Sequence, residues 1–260
     1  LLTEEINFKA TVKLATIAKQ VGISRFIYVS SQSMYGISDS EEELDEDNSL
    51  KNPITSYAKT KWDAECNLKK LSDNDFIVVC FRPSTVFGAS PRLRCDIVFN
   101  NFVACAYTTG KIEIKSDGTP WRPVIHIRDV CKALIAGLKA PSEIINSRSY
   151  NIGIPNGNFT VRELAEAASR AVPGSEIIYT GEHGKDSRTY RVSFNRILNE
   201  PKDWFKPTWD LDRGAKELVN FFDDCNFTEN IFRGSNTNRL KQLKLLTDTS
   251  QINSTLYWMD

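Results

Sequence analysis

From Glu4 to Val21 the apolar residues Ile6, Ala10, Leu14, Ile17 and Val21 recur every three or four positions, and Gly22 follows as a stop. That is the period of one helix face, so the pattern predicts an amphipathic helix with this stripe buried. Phe26-Ile27-Tyr28-Val29 is then a short continuous apolar run ending in Ser30-Ser31, as a strand buried on both faces should look. Helical spacing returns from Ser56 to Leu71, and Phe76-Ile77-Val78-Val79-Cys80-Phe81, closed by Arg82-Pro83, is a second buried strand. Helix, strand, helix, strand predicts an α/β fold on a parallel sheet.

After Gly88 the pattern loosens. Asp96 to Thr108 and Asp129 to Leu138 read as helices, and Gly110 to Lys115, Val124 to Ile127 and Tyr150 to Gly153 as short strands. Thr160-Val161-Arg162-Glu163 is a capping box opening a helix from Val161 to Ala171, which Pro173-Gly174 stop. The acidic stretch Ser38 to Ser49 reads as a solvated surface loop. Near the C-terminus, alternating Leu and Lys from Arg239 to Leu246 read as an amphipathic packing helix, with an interaction element as the alternative.

Composition narrows the class. With 260 residues, 41% apolar and 25% charged, the chain is an ordinary globular protein and not a disordered or coiled-coil one. Thirty-three basic residues balance 33 acidic ones, so no global field draws it to nucleic acid or an anionic membrane. No run approaches the ~20 apolar residues needed to span a bilayer. Cys66, Cys80, Cys95, Cys105, Cys131 and Cys225 are scattered, and only His126 and His183 accompany them, so reduced thiols, a cytoplasmic protein and no metal are expected. His126 reads as structural, and the Asn-x-Ser/Thr triplets at Asn158, Asn226 and Asn253 as chance occurrences.

The chemistry concentrates in Ser30-Ser31-Gln32-Ser33-Met34-Tyr35-Gly36 at a strand end and Tyr57 with Lys61 at a helix start. Ligands of open parallel sheets bind outside the carboxyl ends of strands, where Ser31 falls. Tyr57 and Lys61 are four apart and share a helix face. A phenol ordinarily titrates near ~10, and an adjacent ammonium favours the phenolate, so Tyr57 could act as acid or base on a substrate oxygen. Alone, this spacing is equally that of an exposed helix pair.

In this order the landmarks resemble the extended short-chain dehydrogenase/reductase superfamily, in its nucleotide-sugar epimerase/dehydratase branch. They are Arg25 to Ser31, Met34-Tyr35-Gly36, Ser56-Tyr57 with Lys61 and Glu65, Arg82-Pro83 with Gly88, Arg122 to Val130, Tyr150 to Gly153 and Asp186-Ser187-Arg188. The resemblance implies a Rossmann-like, doubly wound parallel sheet, incomplete at its N-terminal side, with a smaller mixed substrate domain. The dinucleotide-binding part would comprise residues 1–90 and 122–153, and the substrate-binding region residues 91–121 and 154–260. It implies Tyr57 as acid/base, Lys61 as holder of the nicotinamide ribose and Ser31 as partner of the reacting sugar oxygen, with Ser33 beside it. Ser30, Pro83, Ser84 and Thr85 would flank NAD or NADP, while Asn101, Arg122 and Arg188 would hold the diphosphate of a nucleotide sugar. A planar guanidinium suits phosphate, although each arginine alone could be a surface ion-pair partner. A homodimer is implied through the Tyr57 helix and the helix before it.

Four departures qualify the pattern. Gln32 and Ser33 stand where four-six dehydratases carry an acidic pair, which favours epimerisation or keto reduction over elimination of water. Thr85 replaces an asparagine and Pro123 an acidic residue. No Gly-x-x-Gly-x-x-Gly loop occurs; the missing part would need roughly 80–90 residues upstream at about 30 per βαβ repeat. The chain by itself is therefore expected to bind NAD(P) weakly or not at all. Two other readings are a catalytically inactive, truncated relative that serves only in association, and a reductase of a carbonyl compound that is not a nucleotide.

Overall fold

The computed structural model of the chain describes residues 2–37, 42–181 and 189–259. It opens with α1 (Leu2–Glu4), a π-helical stretch (Glu5–Ala10) and α2 (Thr11–Gln20), followed by β1 (Arg25–Val29) and a 3-10 turn (Gln32–Tyr35). Next come α3 (Ser56–Leu71), β2 (Ile77–Pro83), β3 (Thr85–Phe87), α4 (Val98–Thr109), β4 (Lys111–Ile114) and β5 (Trp121–His126). Then follow α5 (Ile127–Lys139), α6 (Ser142–Ile145), β6 (Arg148–Ile152), β7 (Asn158–Thr160), α7 (Val161–Ala171) and β8 (Glu176–Tyr179). The last helices are α8 (Asn195–Asn199), α9 (Leu211–Asp224), α10 (Glu229–Arg233) and α11 (Arg239–Asp248). The chain divides into two compact units: Leu1–Val86 with Pro120–Phe159 and Asp186–Trp209, and Phe87–Thr119 with Thr160–Lys185 and Asp210–Asp260.

In the first unit β1, β2 and β6 form a parallel sheet in that order, with Val29 opposite Phe81 and Pro83 opposite Ile152. Alternate residues of a strand face opposite sides. Accordingly Ile77, Val79 and Phe81 pack with Ala133 and Ala136 of α5, while Val78 and Cys80 pack with Tyr28, Ala15 of α2, and Ala64 and Leu68 of α3. Helices thus cover both faces, the doubly wound plan. Gly137 lets α5 lie close: a Cβ there would meet the Phe81 ring at 2.6 Å. Parallel pairing brings the carboxyl ends of all three strands to one side, with Ser30-Ser31 and Ser84-Thr85 just beyond two of them.

Two expectations change here. On α2 the apolar stripe is exposed, with Leu14 at 60% and Val21 at 70%, whereas Ala15 is buried and Ala18 and Phe8 pack against the α3 side. Small residues allow the closer helix approach, and that contact orients α2. The acidic loop is also more than a solvated surface. Glu46 is buried and accepts the Asn151 N–H at 2.8 Å, and Asp47 pairs with Arg196.

The second unit pairs β4 with β8 in parallel, burying Ile112 and Ile114, beside α4, α7 and α9. The Thr160–Glu163 capping box forms as the sequence predicts. α11 buries no residue, with Leu240 77% exposed, so it is not the packing helix expected. Leu240, Leu243, Leu245 and Leu246 lie around the helix instead of along one stripe.

Candidate functional site

Ser30 prolongs the ladder past β1, its N–H donating to Phe81 O at 2.6 Å. Ser31, in extended backbone, caps the 3-10 turn: its Oγ accepts the Ser33 N–H at 3.2 Å and lies 2.9 Å from Ser33 Oγ. The two hydroxyls expected to meet the sugar are therefore brought together by one turn of chain. Gly36 closes that turn at φ 71°, where a Cβ would sit 2.0 Å from Asn52 O. Only glycine fits such a place.

α3 starts at Thr55, whose Oγ1 accepts the Ala58 N–H at 3.1 Å. Tyr57 stands in the first turn, 47% exposed and open to a ligand. One turn later the half-buried Lys61 donates from Nζ to Val29 O at 2.9 Å, the last carbonyl of β1. The ammonium lies 5.9 Å from the centre of the Tyr57 ring and 4.9 Å from that of Tyr28. Burial holds the Lys61 pKa below the ordinary lysine value. Among the described residues Val29 O is its hydrogen-bond acceptor, which leaves two of its three N–H groups for a ligand. The helix pair and the strand end are thus joined directly, just ahead of Ser30-Ser31.

At the end of β2, Gln32 Nε2 donates to Arg82 O (3.1 Å) and Ser84 Oγ (3.2 Å), and Ser84 Oγ donates to Ile152 O (2.9 Å). Both partners of Nε2 act as acceptors, so the amide orientation is fixed by its chemistry. This relay ties the ends of all three strands together, beside the backbone of Pro83 to Thr85. The sequence shows Gln32 as a missing acid but not as a brace, because its partners lie about fifty residues away in the chain.

A buried ion pair lies beneath. Arg82 Nη2 meets Glu65 Oε1 at 2.5 Å, and Nη1 donates to Tyr35 Oη at 2.9 Å, which in turn donates to Asn151 Oδ1 at 2.9 Å. Ser149 Oγ donates to Glu65 at 2.6 Å. Burial pushes the Glu65 carboxyl up, but the Arg82 guanidinium and these hydrogen bonds outweigh it and hold the carboxyl below the usual range. Burial lifts the Tyr35 phenol to about 12, so it remains a neutral donor.

Arg122, on β5, donates from Nη1 to Trp121 O at 2.8 Å and has further partners. Asn101, in the second unit, closes its own loop by donating to Cys95 O at 2.9 Å. Arg188 and His183 lie outside the described residues. His126 is buried, accepts the Arg128 N–H at the start of α5 and stacks on Trp209 with ring centres 4.0 Å apart, a structural role. Among the described residues no cluster of three metal-binding side chains occurs, and no helix is long and apolar enough to cross a membrane.

A family model, "NAD dependent epimerase/dehydratase family", matches residues 2–153. Among curated proteins the chain is 29% identical over 228 residues to dTDP-D-glucose 4,6-dehydratase of Mus musculus, covering 84% of this chain and 61% of that protein. It is 27% identical to UDP-glucuronate 4-epimerase of Thermodesulfobacterium geofontis, covering 88% of this chain and 64% of that one. Among solved structures, MoeE5 in complex with UDP-glucuronic acid and NAD superposes with a TM-score of 0.69 at 25% identity, covering 84% of this chain and 71% of that chain. The chain thus spans less than two thirds of the length of these two curated relatives.

Proposed function

The chain belongs to the NAD-dependent epimerase/dehydratase family, and on that premise we propose that it supplies the reaction centre of an enzyme that epimerises, or reduces at a keto carbon, a nucleotide-activated sugar. The observation that carries this reading is the Lys61 ammonium, bound to the last carbonyl of β1 and seated against the ring of an accessible Tyr57. When bound, a nicotinamide supplies a reversible hydride acceptor for a sugar carbon. Tyr57 Oη takes the proton of the sugar hydroxyl as that carbon is oxidised and returns it on reduction. Lys61 would offer its two remaining N–H groups to the ribose hydroxyls of the cofactor. Ser31, paired with Ser33, orients the reacting oxygen. The backbone at Ser30 and from Pro83 to Thr85, steadied by the Gln32 relay, would hold the nicotinamide. Arg122 and Arg188 take the diphosphate.

Gln32 speaks against dehydration. Its amide hydrogens are committed to Arg82 O and Ser84 Oγ, and its carbonyl carries no proton to give. The name of the murine relative favours dehydration; the Gln32 amide favours epimerisation or reduction.

The test uses a protein in which this chain follows a glycine-rich dinucleotide-binding segment of the same family, which the 260 residues do not contain; it supplies NAD+ with UDP- and dTDP-hexoses and follows the sugar by proton NMR. Turnover to an epimer or keto sugar is expected, and Tyr57→Phe should lower it by about 10²–10⁴-fold; undiminished turnover in that variant refutes the assignment. Arg122→Ala should mainly raise KM for the sugar nucleotide, whereas an unchanged KM points to a neutral carbonyl substrate.

A further inference from the structure

Lysine carries a compact ammonium on a long, flexible stem, so what packs against the ammonium decides where it sits. The Lys61 nitrogen has its bond to Val29 O and two aromatic neighbours, and the nearer ring is that of Tyr28, not Tyr57. Tyr28 follows from the alternation of β1: its side chain enters the face covered by α3, among Ala64, Leu68, Val78 and Cys80. It is 6% exposed, and its hydroxyl is covered and has no hydrogen-bond partner among the described residues. The hydroxyl therefore does nothing for Lys61; the ring is what lies beneath the ammonium.

We propose that Tyr28 is a positioning residue, its buried ring serving as the platform that holds the Lys61 ammonium beside Tyr57. A cation over an aromatic face is attracted by the ring's quadrupole, and more strongly where water is excluded. Burial above all, then Cys80, Glu65 and Tyr57, raises the Tyr28 phenol, so the ring stays neutral. Of the charged groups packed nearby, Glu65 is committed to Arg82. The proposal rests on the role given to Lys61 above.

The experiment reads Lys61 without substrate or cofactor. In the 260-residue chain, labelled with lysine carrying ¹³C at Cε, the Lys61 signal is assigned by its loss in Lys61→Arg and followed as pH rises. Tyr28→Phe keeps the ring and should leave the midpoint within about 0.2 units of wild type, with no loss of thermal stability. Tyr28→Leu and Tyr28→Met remove the ring. The ring favours the charged amine, so its loss should lower the midpoint by roughly 0.5–1 unit, a three- to tenfold weaker hold on the proton. Tyr28→Met preserves bulk should Tyr28→Leu fail to fold. An unchanged or raised midpoint in the folded ring-less variants, or an equal fall in Tyr28→Phe, overturns the proposal. Because no turnover is measured, such a result leaves the function assigned to Tyr57 standing, and loss of turnover in Tyr57→Phe does not bear on the platform.

Discussion

Arg82 meets Glu65, Tyr35 and the Glu46 carbonyl in an interior where neither member of the Arg82–Glu65 pair exceeds 1% exposure. Removing one partner of such a pair leaves an uncompensated charge, so Glu65→Gln should cost about 3–5 kcal/mol in urea unfolding. Glu65 also sets an acid limit. Its folded pKa is depressed, so its stabilisation is present above its unfolded value of ~4.3 and fades as pH falls through the lower, folded value. Unfolding midpoints should therefore hold near neutrality and decline below about pH 4, and Glu65→Gln should flatten that decline. At this scale the sequence is most legible where partners are local. Tyr57 with Lys61, and Ser31 with Ser33, are set by helix and turn spacing. Arg82 with Glu65, and Gln32 with Ser84, are long-range pairs that periodicity does not carry.

Among elements, the buried strands are the most legible, because a parallel strand covered on both faces needs an unbroken apolar run and few other structures do. The face that a helix buries is less so. α2 offers a stripe of large side chains and a set of small ones, and only the approach of α3 decides between them. Turns hold the strictest local demand. Gly36 combines a positive φ with an Asn52 carbonyl where a side chain would go. Gly36→Ala should cost at least the ~1–3 kcal/mol of a strained backbone, and should loosen the turn that aligns Ser31 with Ser33. Chemical denaturation checks the first, and loss of a single conformer for the Ser31 and Ser33 amide signals checks the second.

For the whole molecule, Leu14, Ile17 and Val21 leave an apolar stripe exposed along α2 and its C-terminal end. Contiguous exposed apolar surface is a place of association. We expect concentration-dependent self-association in sedimentation velocity. Leu14→Lys with Ile17→Lys should abolish it without lowering the unfolding midpoint, because neither side chain is buried. Periodicity shows that this stripe exists but not what covers it, since a covering surface leaves no mark on the spacing of the covered one. The sixteen residues of α3 also hold Tyr57, Lys61 and Glu65, so the groups that would turn over a substrate and the anchor that keeps the interior intact share one rod. Random mutagenesis across this helix should then return few variants that are well folded but idle, since most damage there strikes shape and turnover together.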